Sequence, residues 1–277
     1  MRTRVGTTLT LVLAGLLWLS FQSSGALLVF WVGLLLTFGA IHELDRMGRF
    51  AGRALGLSLG FSAVMTLVVV PLAIGDGPPS TGPLFHYVAA PVCAGLAAAL
   101  LWAGSGRRRP LADVALAFGL APWIVPPLPA LATVRLEFGA AGLVALIALA
   151  KVGDVVGYYV GSSIGRRHPF PRTSPGKTVA GCVASLLAGI LAGALCVALG
   201  LLPQGRLGLA GGLLAGATVN LAAQAGDLFE SRAKRWAGVK DSGTWFGPSG
   251  GMLDLIDSLP LAVPVALFSW PLLFGGA

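Results

Sequence analysis

The sequence predicts an all-α, polytopic integral membrane protein of about nine transmembrane helices with its N-terminus in the cytoplasm. Three observations carry that prediction. The chain of 277 residues is 56% hydrophobic and 11% charged, with a mean hydropathy of +0.84, whereas soluble domains carry about 25% charged residues. Apolar runs of membrane-spanning length fill nearly every interval between charged clusters. Lysine and arginine are concentrated in alternate connecting segments, as the positive-inside rule requires.

The elements follow in order. Arg2 and Arg4 precede an apolar run from Val5 to Phe21. Ser23-Ser24-Gly25-Ala26 would suit a signal-peptide cleavage point, but a second apolar run, Ala26 to Ile41, follows at once, so the pair reads as a retained helical hairpin. His42-Glu43-Leu44-Asp45 reads as a solvated helix end at the cytoplasmic surface rather than a metal site. Further runs cover approximately 54–75, 84–104, 111–130, 139–161, 179–202, 207–225 and 251–275. Pro122, Pro126, Pro127 and Pro129 end or break the fifth helix near the outer face. About five spans thus fall in an N-terminal region (1–138) and about four in a C-terminal catalytic region (139–277), with cytoplasmic loops at 162–178 and 226–250.

The loops test the count. The N-terminus, 42–53, 105–110, 162–178 and 226–250 together carry 16 of the 19 Lys and Arg residues, while the outer segments carry only Arg135 and Arg206. Topology and attraction to anionic headgroups therefore explain the net charge of +8, and it gives no argument for nucleic acid as a partner. Cys93, Cys182 and Cys196 all sit inside apolar runs without disulfide or metal-ligand spacing. Gly- and Ala-rich runs such as 208–223 suggest faces that let helices approach closely.

Nine of the 30 charged residues fall within the 33 positions from Gly226 to Ser258, and ionisable groups are costly to keep beside a membrane interior. Asp227, Glu230, Ser231 and Lys234 are spaced to share one helix face. Asp254 and Asp257 start the last span three residues apart. They have no base within four residues on either side, which argues against simple structural pairing. Two carboxylate-bearing helix ends joined by a glycine-rich loop can converge on a Mg²⁺ ion, which takes its other ligands from water and phosphate. Lys234, Arg235 and Lys240 would neutralise a polyphosphate.

Two other segments contribute polar groups. Asp154 lies three residues after Lys151, within reach of it on a helix, so a structural pair and a cavity-facing carboxylate are both open. In 166–181, Ser174 reads as an N-cap with Pro175 at the first helical position; an anion site with Lys177 at the helix start and a basic loop that only follows the positive-inside rule are both open. Gly176-Lys177-Thr178 is not a Walker loop, because Pro171 stands where its first glycine belongs. There is no Ser-His-Asp order and no cysteine nucleophile. Phosphoryl or nucleotidyl transfer needs neither, since metal clamping and charge neutralisation suffice.

At these residues the chain resembles the phosphatidate cytidylyltransferase (CDP-diacylglycerol synthase) family. Ser231, the Lys234-Arg235 and Lys240-Asp241 pairs, Gly250-Gly251, Asp254 and Asp257 match its C-terminal signature. Segments 226–231 and 174–178, and Asp154 with Tyr158, also look like family segments. The family's Pro-Gly-His-Gly-Gly is here Gly247-Pro248-Ser249-Gly250-Gly251, and its Asp-Arg-x-Asp is Asp254-Leu255-Ile256-Asp257.

The resemblance implies that phosphatidate and CTP give CDP-diacylglycerol and pyrophosphate. It implies Mg²⁺ at Asp227, Asp254 and Asp257, with a second cation such as K⁺ allowed. Asp227, Ser231, Lys234, Lys240 and Asp241 become the catalytic set. Asp154, Ser174, Lys177 and Arg235 become substrate and phosphate contacts. A multi-pass protein of the inner or plasma membrane with a cytoplasmic active site follows, and a homodimer is an allowed assembly. The alternatives are a cation-coupled transporter, a CTP-dependent lipid kinase and a low-activity paralogue.

Overall fold

The computed structural model describes residues 25–47, 123–124, 127–247 and 250–275. Six helices are present among them, with no strand: α1 (Gly25–Arg46), α2 (Leu131–Ile164), α3 (Val179–Ala198), α4 (Leu209–Ala237), α5 (Met252–Ile256) and α6 (Leu259–Phe274). Helices are the expected solution for apolar sequence in lipid, because they satisfy every backbone N–H and C=O within the segment. α2, α3 and the α5–α6 stretch are long and apolar enough to cross a membrane, and the chain is a helical membrane protein. α4 is not among these three, since Asn220, Gln224 and a charged last third interrupt its apolar run. The expected spans at 5–21, 54–75 and 84–104, and most of 111–130, lie outside the described residues.

The chain divides into two units. One holds the described residues up to Thr133 together with Trp236–Leu255, and the other holds Val134–Arg235 with the residues from Ile256 onward. In the first unit, α1 lies against the turn at Pro127–Ala130: a Cβ at Gly33 would meet the Leu128 carbonyl. That turn leads directly into α2. Arg135, expected in a connecting segment, is therefore helical, and the break comes later at Gly139. Its φ of 73° is a left-handed value that a side chain would strain.

In the second unit, glycines set how closely the helices approach. Gly153, Gly157 and Gly161 recur every four residues along one face of α2. A Cβ at Gly157 would stand 3.0 Å from the Gly181 carbonyl, and one at Gly161 would stand 2.9 Å from Thr178 Oγ1. Across the α3–α4 crossing, Gly189 and Gly193 meet Gly212 and Gly216, with any Cβ at Gly193 or Gly216 running into the opposing backbone. These are two facing small-xxx-small stripes, the pattern that lets membrane helices pack on backbone contacts. On its other side α3 exposes Val183, Leu187, Leu191 and Leu195, a one-sided apolar stripe suited to lipid.

The start of α3 differs from the expectation. Ser174 is not the N-cap. It sits in a turn whose Lys177 N–H donates to the Ser174 carbonyl, and Thr178 caps the helix with its Oγ1 accepting from Gly181 N–H at 3.1 Å. The Pro175-Gly176 pair forms that turn and delays the helix by one turn.

Candidate active site

The helix face read from spacing exists on α4, and it is built into a larger polar cluster. Close approach at Gly226 puts the cluster together: a Cβ there would stand 2.6 Å from the Asp257 carbonyl and 3.4 Å from Ser258 Cα. The α5–α6 turn therefore lies directly against α4, one residue before Asp227. As a result, ligand oxygens from Asp227, Glu230 and Asp257 all lie within 4.8 Å of one another.

A lysine stands beside each of these acids. Lys177, from the turn before α3, reaches Asp227 Oδ2 at 2.6 Å. Lys234 reaches the fully buried Glu230 at 2.7 Å, one helical turn away on α4. Lys151, from the middle of α2, donates to Asp257 Oδ1 at 3.1 Å and lies 3.7 Å from Asp154. Four carboxylates and three ammonium groups thus interleave across α2, the α3 turn, α4 and the α5–α6 turn. Ser231 Oγ donates to Asp227 Oδ1 at 3.3 Å, and Arg235 Nε donates to the Thr173 carbonyl at 3.4 Å.

Two members of this cluster were not in the set picked from sequence. Lys151 was read only as a neighbour of Asp154, and Glu230 only as part of a helix face. The argument that Asp257 lacks a structural partner is corrected here, because its base comes from 106 positions away. A search for bases within four residues cannot see such a partner. Beneath the cluster, Ser185 and Gln224 both donate to Asn220 Oδ1. A Cβ at Gly153 would collide with Asn220 Nδ2, so this polar layer packs directly on the α2 backbone.

The donor set suits a hard divalent cation. All three groups are carboxylates, and Asp227 and Asp257 are only half-buried. Opposite oxygens on a six-coordinate Mg²⁺ stand about 4.2 Å apart. The three ligand oxygens, all within 4.8 Å of one another, are close to that spacing.

The remaining site residues belong to the first unit. Asp254 is half-buried, and its Oδ2 accepts from Ser242 N–H at 2.9 Å, Ser242 Oγ at 2.7 Å and Gly251 N–H at 2.7 Å. Lys240 and Asp241 are exposed. Gly250 has φ 85° and its N–H donates to the Gly247 carbonyl, closing the glycine-rich turn. Pro248 and Ser249, where the chain departs from the signature, lie outside the described residues.

Glu43 overturns its expectation of a solvated helix end. It is 1% exposed, and its carboxylate accepts from Met252 N–H at 2.7 Å, Leu253 N–H at 2.9 Å and Ser242 Oγ at 2.7 Å. Neighbouring His42 is exposed and lies beside the Trp245 ring. Sequence gave no signal for the Glu43 contacts, because its partners are 199 to 210 positions away.

A model of the cytidylyltransferase family matches residues 2–272. The chain belongs to that family. Among family relatives, the phosphatidate cytidylyltransferase of Thermotoga maritima is 36% identical over 141 residues, covering 50% of this chain and 52% of the relative. That of Pseudomonas aeruginosa is 42% identical over 123 residues, covering 44% and 45%. The uncharacterized protein YnbB of Escherichia coli is 36% identical over 138 residues, covering 50% and 45%. The chain spans about half the length of the curated relatives it matches.

Proposed function

We propose that the protein is a CTP-dependent cytidylyltransferase of phospholipid synthesis, converting phosphatidate and CTP to CDP-diacylglycerol and pyrophosphate. The observation that carries this reading is the interleaving of carboxylates with lysines at one place. A metal site needs only the acids, and an anion site needs only the bases. A metal–triphosphate complex needs both.

In this reading a phosphate oxygen of the lipid attacks the α-phosphorus of CTP. A new P–O–P linkage forms, the bond to the β-phosphate bridging oxygen breaks, and its electron pair leaves with pyrophosphate. Asp227 and Asp257, with Asp254 assigned by the signature, hold the cation, and Glu230 adds a fourth carboxylate. Bound Mg²⁺ supplies charge neutralisation at the phosphate oxygens, and a second cation such as K⁺ is compatible with the excess of acids. Lys177 and Lys151 exchange their carboxylate partners for phosphate oxygens, as charge-assisted hydrogen bonds allow. Lys234, Lys240 and Arg235 neutralise the triphosphate. Ser231 and Ser174 add hydrogen bonds, Asp154 lines the cavity, and Asp241 completes the catalytic set with Lys240. The cluster belongs at the cytoplasmic boundary of the cell membrane, where a soluble nucleotide meets a lipid headgroup.

The test uses purified protein in detergent micelles with labelled CTP, Mg²⁺ and phosphatidate. CDP-lipid and pyrophosphate should appear in equal amounts. Mg²⁺–CTP binding without product across several phospholipid acceptors would refute the acceptor, and absence of CTP binding would refute the whole reading.

A further inference from the structure

Glu43 lies far from the signature in sequence yet holds it in space. Its carboxylate takes the N–H groups of Met252 and Leu253, two of the otherwise unpaired amides at the start of α5. The same carboxylate holds the hydroxyl of Ser242, and that hydroxyl is also 2.7 Å from Asp254 Oδ2. Ser242 has one hydroxyl hydrogen, so it donates to one of these two carboxylates at a time, while its backbone N–H donates to Asp254 Oδ2 at 2.9 Å. Both ends of the segment from Ser242 to Asp254 are therefore tied to one buried side chain of α1.

The glycines around Glu43 fit that role. A Cβ at Gly243 would stand 2.5 Å from Glu43 Oε1, and one at Gly251 would collide with both carboxylate oxygens. Gly39, one turn earlier on the same face of α1, faces Met252: a Cβ there would stand 3.1 Å from Met252 Cγ. Two backbone segments have been cleared of side chains where they pass Glu43. A solvated glutamate would need no such clearance.

We propose that Glu43 is a positioning residue for the cytidylyl-transfer reaction, acting through Ser242 and the α5 amides to fix Asp254, while touching neither substrate nor metal. This rests on the cytidylyltransferase reading only where activity is the readout. Glu43→Gln replaces one acceptor oxygen with a donor that faces other donors, and keeps the volume.

Three measurements decide the matter. In the CDP-lipid assay, Glu43→Gln should lower kcat at least tenfold while the KM for CTP changes less than threefold. The double variant Glu43→Gln/Ser242→Ala should be no slower than Glu43→Gln alone, because both act along one chain of contacts. Hydrogen exchange should speed up at the amides of Ser242 and 251–253 and stay unchanged in α3. A kcat within twofold of wild type, multiplicative losses in the double variant, or faster exchange spread through all helices would overturn the proposal. Should Glu43→Gln not fold, Ser242→Ala carries the same kinetic and exchange tests. Should the wild type make no CDP-lipid, exchange alone decides: local deprotection at 242 and 251–253 supports the role of Glu43, and unchanged protection refutes it.

Discussion

Gly226→Ala adds one methyl group and tests whether the distance between α4 and the α5–α6 turn sets the rate. The new Cβ would stand 2.6 Å from the Asp257 carbonyl oxygen and 3.4 Å from Ser258 Cα. An ordinary carbon–oxygen contact is about 3.3 Å, so the two backbones must separate by roughly 0.7 Å. Overpacking of this kind costs about 1–3 kcal/mol of stability. The larger consequence is geometric. Asp257 moves away from Asp227, whose ligand oxygen lies within 4.8 Å of its own. Misplacement of a reacting constellation by about 1 Å can cost on the order of 100-fold, so a fall in kcat of about 10- to 100-fold is expected. The assay is CDP-lipid formation at saturating CTP, run beside a thermal melt in the same detergent. Full activity with a lowered melting temperature would refute the geometric argument, because it would show the turn displaced without effect on chemistry.

The other predictions concern the ion pairs and the helix crossing. Lys177→Met should raise the KM for CTP about tenfold or more and leave Asp227 without its 2.6 Å partner, as initial-rate kinetics will show. Glu230→Gln leaves Lys234 facing a neutral group at a site where the acid is fully buried. Breaking a buried pair costs about 3–5 kcal/mol, so a lower unfolding midpoint in denaturant is expected, and Lys234→Met should show a comparable loss. Gly193→Leu drives a side chain into the Gly212 backbone and should prevent the α3–α4 crossing, read as loss of folded, monodisperse protein in detergent. Chelation of divalent cations should abolish turnover and excess Mg²⁺ should restore it.

Features that depend on near neighbours were legible in the sequence. The face of Asp227, Glu230, Ser231 and Lys234 follows from helical spacing and lies on α4. The apolar runs at 26–41 and 179–202 correspond to α1 and α3. Contacts between distant segments were not legible. Lys151 reaches Asp257 only because glycines every four residues let α2 lie against the α3–α4 pair. Glu43 looked solvated because its polar neighbours in sequence, His42 and Asp45, resemble a helix end at water, and its real partners arrive from the opposite end of the chain. The N-cap is Thr178 rather than Ser174, because Thr178 is the residue placed to accept from Gly181 N–H.

The acid–lysine pairs also bear on how a reaction cycle would end. Each lysine has a carboxylate 2.6 to 3.1 Å away, so a phosphate arriving at the cluster must displace an internal rival. Binding is then a difference between two similar interactions, and departure is assisted by the same competition. A pyrophosphate held by bare lysines would be slow to leave. In the proposed reaction the carboxylates would reclaim the ammonium groups as it leaves.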